Sequence, residues 1–320
     1  MKWSVGTAVL LACSGAASAS PFVVRDQNPL LAPFGLPRAM PTRATADDAW
    51  QLAGDFNWGS SAIVQSNARE SLVVDAETRE FNFTVGRKFA ERLAFQLQLP
   101  YRYTGGGNLD GFIDDWHDWF GFPDGARGVL PTDQYRISYR RAGVTSINKT
   151  SPGSGLADVS VDLGYQLVSR ANHAAAVWLN LKLPTGDADD LTGSGATDVS
   201  LVMAADRRLA QRWSAFGQVG VTYLGKGTVL PAQQRSVVWS GMAGIGVAVF
   251  GNLDLKLQID AHTGLFDGTD LEFLGDAAVL TVGGSVRFAG WQLDLGVGED
   301  IVVDASPDVV FVFGLRRALP

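Results

Sequence analysis

One cysteine, three histidines and four methionines are all the soft metal ligands that 320 residues offer. The cysteine, Cys13, sits in the first segment of the chain, so the remainder can close no disulfide. Catalysis and metal binding start from His117, His173 and His262 alone. Charge is scarce too, at 18%, which is low for a soluble protein of this length. Its balance is acidic, with a net charge of −7, and this excludes a nucleic-acid partner, which needs a cationic face. Beyond the N-terminus there is no run of roughly 18 apolar residues, so a helix-spanning membrane protein is excluded. What the chain has instead is 46% hydrophobic residues, 37 glycines and 9 tryptophans.

The hydrophobic residues alternate. In Leu253-Asp-Leu-Lys-Leu-Gln-Ile-Asp-Ala-His262 every odd position is apolar and every even one polar, a period of two that puts the sets on opposite faces of a β-strand. The same rhythm returns over Trp50–Trp58, Phe81–Val85, Leu93–Tyr103, Val159–Leu167, Val177–Leu183, Val199–Ala205, Trp213–Tyr223 and Val237–Val249. It continues over Leu253–His262, Ala278–Phe288, Trp291–Val297 and Val309–Leu315. About twelve strands, an even number, are thus expected, with a polar turn between Trp58 and Phe81. Connections alternate between minimal turns (Glu91-Arg92, Phe250-Gly251-Asn252, Ala289-Gly290) and long stretches. Trp50, Trp58, Tyr101, Tyr103, Trp213, Tyr223 and Trp291 fall near strand ends, as interfacial girdles require. The expected fold is all-β: a transmembrane antiparallel up-and-down β-barrel, aliphatics toward lipid and charges toward a wet lumen. A soluble sandwich is the competing arrangement.

The expected lumen lining is Asp55, Asp162, Lys182, Asp254, Lys256, Asp260, His262 and Asp294. So many ionisable groups in a dry core would each need a partner. Residues 1–19 read as a cleaved signal peptide: Lys2, an apolar stretch from Val5 to Ala12, and Ala17-Ser-Ala19. Lipidation at Cys13 is the other way to read that stretch. Residues 20–46, with prolines at 21, 29, 33, 37 and 41, are either a periplasmic leader or a plug threaded into the barrel, which would span 47–320.

Thr104–Ala157 is too long for a bare connection. Within it Phe112, Trp116, Trp119 and Phe120 recur at helical spacing, forming a ligand-contacting or packing face of a short amphipathic helix. That helix would cap the mouth, rest on the outer leaflet, or pack on the inner wall. Asp114, Asp115, His117 and Asp118 lie elsewhere around it. A calcium site there lacks the alternate ligands and central glycine of an EF-hand, so no metal is assigned. None of the three histidines has a serine two residues on, and no catalytic residue or cofactor is assigned.

Asn28-Pro-Leu-Leu-Ala-Pro-Phe-Gly-Leu-Pro37, Phe112-Ile-Asp-Asp-Trp-His-Asp-Trp-Phe-Gly121 and Pro123-Asp-Gly-Ala-Arg127 resemble a family of Gram-negative outer-membrane proteins catalogued as domain of unknown function three-one-eight-seven. The resemblance implies a barrel in the outer membrane, with no established activity. Lys182-Leu-Pro-Thr-Gly-Asp187 and Gly193-Ser-Gly-Ala-Thr-Asp198 resemble a strand–loop pattern of barrels that import hydrophobic or aromatic compounds. Phe311 and Phe313 are followed by Gly-Leu-Arg-Arg-Ala-Leu-Pro320, so the usual terminal aromatic of such barrels would here be internal. The functional expectation is a monomeric outer-membrane channel or binding barrel for a small solute, hydrophobic or aromatic ones included, gated by the 104–157 loop. It is not expected to be an enzyme. Outer-membrane lipids with lipopolysaccharide and the barrel-insertion machinery are the expected partners. An outer-membrane lipid-modifying enzyme and a structural or surface-binding barrel are the alternatives.

Overall fold

A computed structural model describes residues 19–44, 48–120, 127–302 and 305–319. The signal-peptide expectation, residues 1–19, therefore falls on residues outside the described ones, Ala19 excepted. The first strands are β1 (Trp50–Ser66), β2 (Glu70–Ala90) and β3 (Leu93–Gly105). Helix α1 (Asp110–Phe120) and the short strands β4 (Arg136–Arg141), β5 (Val144–Lys149) and β6 (Gly153–Leu156) follow. Then come β7 (Ser160–Arg170), β8 (His173–Lys182), β9 (Asp198–Arg208), β10 (Trp213–Leu224) and β11 (Val237–Phe250). The last four are β12 (Leu253–His262), β13 (Ala277–Phe288), β14 (Trp291–Asp300) and β15 (Val309–Leu319).

Each of β1–β3 and β7–β15 pairs antiparallel with its neighbours, and β15 pairs with β1 from Val309↔Ser60 to Leu319↔Trp50. This closes a barrel of twelve strands, the architecture the alternation predicts. Closure leaves no open edge, so each backbone group in the bilayer finds its partner within the wall. Outward aliphatics are exposed (Leu201 53%) while inward charges such as Asp162 and Asp254 are buried. This is the inversion that lipid demands. Trp50, Trp213, Phe250, Phe288 and Trp291 ring the short-turn rim, and Tyr101, Tyr223 and Trp239 stand outward near the other. Both girdles are present.

Cross-strand partners in an antiparallel pair share a face. Three tight hairpins keep that parity only by inserting an extra residue beside the turn: between Lys88 and Ala90, Gln166 and Val168, and Ala248 and Phe250. The β13–β14 turn uses Ala289 and Gly290, both at positive φ (46° and 79°), the backbone of a two-residue hairpin turn.

Two expectations are corrected. The polar stretch between Trp58 and Phe81 is not a turn: β1 and β2 run on together as far as Ser66↔Ser71, beyond the level where β15 leaves β1. Its inward face is mixed, apolar at Ile63, Leu72 and Val74 and polar at Ser61, and its outward face, with Asp75 and Glu77, is no longer held to lipid, which hides the strand rhythm. The 104–157 stretch is likewise more than a loop with a helix. Its β4 extends the sheet along Glu70–Asp75 of β2, β5 pairs with β4, and β6 lies against the end of β3.

The β1–β2 extension and β4 fold over the long-loop mouth. Ile63, Leu72, Val74, Ile137 and Tyr139 pack there with Leu224, Leu230, Leu265, Phe266, Phe273 and Leu274 from the other long loops and strand ends, and with Leu30, Leu31 and Phe34 from the proline-rich segment. A dry hydrophobic core thus sits across the extracellular mouth, held by the same burial that stabilises a soluble domain.

Candidate functional site

The interior is filled by the segment from Ala19 to Arg43. Its prolines keep it out of any strand ladder, so its backbone groups must find side-chain partners. Inward-facing amides supply them. Gln258 of β12 accepts from the Phe22 N–H (2.8 Å) and donates to the Phe22 carbonyl (3.1 Å). Asn57 of β1 accepts from the Arg25 N–H (3.2 Å) and donates to the Val23 carbonyl (3.1 Å). Gln218 of β10 does the same for the Met40 N–H (2.8 Å) and the Arg38 carbonyl (3.0 Å). On β9, Asp198 accepts from the Gly35 N–H (2.8 Å) and Ser200 donates to the Gly35 carbonyl (3.1 Å). A Cβ at Gly35 would stand 2.8 Å from the Asp198 Cβ, so only glycine lets the segment lie this close.

Ion pairs fix the rest. Glu80 of β2, 1% exposed, bonds Arg38 of the segment at 2.6 Å and Arg102 of β3 through the guanidinium Nε at 3.0 Å and Nη2. Arg102 also donates to the carbonyls of Ala32 (2.7 Å), Leu191 and Thr192 (both 3.1 Å). Arg25 turns back onto the carbonyls of Ala32 (2.6 Å) and Phe34 (2.5 Å). Burial lowers the Arg25 guanidinium to about 9, against the pull of Glu80. Each carboxylate–guanidinium contact here is charge-assisted and among the stronger hydrogen bonds a protein makes.

All the described lining candidates lie on the inner wall or at its rim, in several separate clusters. Lys182 pairs with Asp158 (2.6 Å) and Asp198 (2.9 Å) and donates to the Ser194 hydroxyl, so the two Lys182–Asp198 motif halves meet around one ammonium. Lys256 pairs with Asp294 (2.9 Å), donates to the Ser20 carbonyl (3.0 Å) and lies 3.7 Å from the centre of the Phe22 ring. Arg316 lies 2.8 Å from Asp294 and 3.9 Å from Asp55. Asp254 holds Arg287 at 2.5 Å. Asp162 accepts from Gln98 (2.6 Å) and Asn180, and Asp260 accepts from Gln258 (2.7 Å). His262 bonds Asp26 of the segment at 2.9 Å and the Thr263 carbonyl at 3.1 Å. The polar interior is thus largely ion-paired and occupied. Among the described residues its charges surround the segment in pairs rather than standing free along an open tube.

Helix α1 lies elsewhere. Leu109 and Ile113 pack on Trp58, Val297, Val309 and Phe311, outward residues of β1, β14 and β15, and the Phe112 ring stands 5.8 Å from Phe311. The helix therefore rests on the outside of the wall near the extracellular rim, neither in the lumen nor across the mouth. Glu77 of β2 fixes its start, accepting from the N–H groups of Asn108 and Leu109 (both 2.7 Å) while bonding the Trp58 indole (2.6 Å) and Arg79 (2.8 Å). A carboxylate suits the positive end of a helix. Trp119 is 82% exposed, and Asp114 and Asp115 are exposed beside it. The side chains of Trp116, His117, Asp118 and Phe120 lie outside the described residues. Among the described residues no cluster of three metal-ligating side chains occurs, and neither described histidine bonds a serine.

Glu80, Arg38, Asp158 and the amide clamps were not singled out by the sequence. Arg102 stands on the polar side of the predicted Leu93–Tyr103 strand, and the hairpin register that places Glu80 opposite it depends on the bulge near the turn.

Among solved structures, an outer membrane channel from Pseudomonas putida F1 matches with a TM-score of 0.59 at 15% identity, over 88% of this chain and 99% of that one. The KdgM porin (TM-score 0.43, 7% identity, 84% and 99% covered) and the P. putida toluene transporter TodX (0.40, 10%, 86% and 91%) are also similar. A comparison with curated proteins finds no match. The profile described as "Protein of unknown function (DUF3187)" matches residues 2–318, and the chain belongs to that family.

Proposed function

We propose that the protein is an outer-membrane channel held in an occluded state, passing a small solute when the segment 19–43 shifts out of the lumen. The β4–β5 part of the 104–157 stretch, lying in the mouth seal, serves with that segment as its gate. The observation that carries this reading is the way the segment is bound. It shares no strand ladder with the wall, so it can leave without breaking a strand-to-strand hydrogen bond, giving up only its side-chain clamps, and its departure would leave a lumen ringed by charges. A barrel serving only as a scaffold would be at least as stable with apolar filling, because replacing buried ion pairs by well-packed hydrophobic residues is often neutral or stabilising. The resemblance in fold to an outer membrane channel is compatible with this reading. In it the protein acts as a monomer in the outer membrane, among its lipids, without enzymatic activity.

Planar-bilayer recording on the wild type and on a variant lacking residues 20–43 tests the proposal. The deletion also removes Leu30, Leu31 and Phe34 from the mouth core. The wild type is expected to be closed or nearly so, and the deletion variant to conduct steadily. A deletion variant that keeps the heat-modifiable mobility of a folded barrel, yet conducts no more than the wild type, would overturn it.

A further inference from the structure

An open groove of about 590 Å3 lies at the short-turn rim, where the β2–β3 hairpin meets the start of β1. Trp50, Phe89 and Phe95 line it, with Arg87 and Lys88 of β2, Asp48 just before β1, and Glu91 of the turn. We infer that this groove binds the phosphoethanolamine headgroup of a phospholipid in the periplasmic leaflet. The inference needs only the barrel's place in a bilayer, with its short turns toward the periplasm, and is independent of the channel reading.

The level of the groove matches a headgroup. Trp50 belongs to the aromatic girdle, and such girdles sit at the membrane–water interface. Phe89, beside it, is 56% exposed. The rings form a fixed surface: Phe95 stands edge-on to Trp50 (6.0 Å, 85°) and 6.4 Å from Phe89. The glycerol and the first acyl carbons of a lipid can lie on that surface while its headgroup meets the charges.

The charges select the headgroup. Arg87 lies over the Trp50 ring (5.2 Å) and donates from Nε to the Asp48 carbonyl (3.0 Å), which together fix its plane. Its two terminal nitrogens have no acceptor among the described residues. A guanidinium held in this way keeps the flat fork of donors that suits phosphate oxygens. Lys88 and the Asp48 carboxylate neutralise one another at 2.7 Å. Glu91 has no hydrogen bond or ion pair among the described residues. One cation and one carboxylate are therefore left over, and a phosphate joined to a primary ammonium answers both. A phosphoglycerol headgroup would set its charge near Glu91 with no cation of its own to offer. A phosphocholine headgroup has no N–H to donate to a carboxylate. The aromatic face that a quaternary ammonium would seek is already covered by Arg87.

Three lipids with identical acyl chains test the inference: phosphatidylethanolamine, phosphatidylcholine and phosphatidylglycerol. Each is titrated into the detergent-purified full chain, and retained lipid is counted by native mass spectrometry. One phosphatidylethanolamine is expected to bind about fivefold or more tighter than either of the others, the difference that roughly one charge-assisted hydrogen bond makes. Arg87→Gln with Glu91→Gln, both exposed positions, is expected to bring it down to the level of phosphatidylcholine. Arg317→Gln removes another guanidinium, one that stacks on Trp291 of the same rim (5.0 Å), and is expected to change nothing. Equal retention of the three lipids would overturn the inference and mean annular lipid only. Tighter binding of phosphatidylcholine or phosphatidylglycerol would also overturn it, as would an unchanged double variant or an equal loss in Arg317→Gln. The comparison of lipids on the wild type stands even if a variant fails to fold.

Discussion

Replacing Glu80 by Gln removes the one negative charge shared by Arg38 on the segment and Arg102 on the wall, with Arg25 close by. Breaking a buried ion pair by neutralising one partner costs roughly 3–5 kcal/mol, because the other charge stays buried without compensation. The glutamine oxygen still accepts one hydrogen bond, so the lower end applies, about 3 kcal/mol or a factor on the order of 10² in equilibrium. Two of the stranded guanidiniums belong to the segment, and they regain hydration if it leaves. The cost therefore falls on the closed state, and the open fraction should rise by about two orders of magnitude while it remains small. Single-channel recording reads this directly, and limited trypsinolysis with mass spectrometry reads it independently through new cuts after Arg25 and Arg38. Arg38→Ala should do much less, since it leaves Glu80 and Arg102 as a matched pair. If Glu80→Gln gives a folded barrel with closed-state conductance and intact Arg25–Asp26 and Arg38–Ala39 bonds, the electrostatic account of closure is wrong.

Lys182→Met strands Asp158 and Asp198 in the interior, and should lower barrel stability by roughly 3–5 kcal/mol, read as a shifted urea midpoint of heat-modifiable mobility. Gln258→Ala deletes two hydrogen bonds to Phe22 and should weaken segment binding by about 1–3 kcal/mol, seen as trypsin sensitivity at Arg25 without loss of the barrel; unchanged protection would show the clamp to be idle. Ala289→Asn relieves a non-glycine residue at positive φ in a two-residue turn and should stabilise the β13–β14 hairpin by about 0.5–1 kcal/mol. Trp119→Phe should remove one share of the tryptophan fluorescence quenched by brominated lipid, the girdle residues Trp50, Trp213, Trp239 and Trp291 keeping theirs, since that side chain stands outside the wall; quenching equal to wild type would place the helix elsewhere.

The strands were legible because lipid and a charged interior impose opposite demands on alternate residues, as in Leu253–His262. Where that contrast fails, legibility fails with it. Ser60 to Glu80 pairs as a strand hairpin, but lies partly past the wall, where lipid no longer fixes the outward residues and the buried face mixes Ile63, Leu72 and Val74 with polar side chains. The inward charges were readable as a set, whereas their pairing was not, because Lys256–Asp294 and Lys182–Asp158 depend on register and on loops. The segment's contacts were the least legible. Gln258, Asn57 and Gln218 read as ordinary strand polar residues, and only the presence of a backbone without a ladder turns them into clamps. The helix over 112–120 was legible, but its packed residues, Leu109 and Ile113, were not, and spacing cannot distinguish the inner from the outer surface of a cylinder.

Helix α1 straddles the join between the first and last strands, touching Trp58 on one side and Phe311 on the other. That groove exists only once the two ends of the sheet have met. The helix can dock only as a final step of assembly, as a buckle closes after the belt is wrapped. Damage to its seat, for example by Gly107→Ala, whose new methyl would collide with Glu77, should leave the twelve strands able to pair yet make the finished cylinder easier to unzip at that one line.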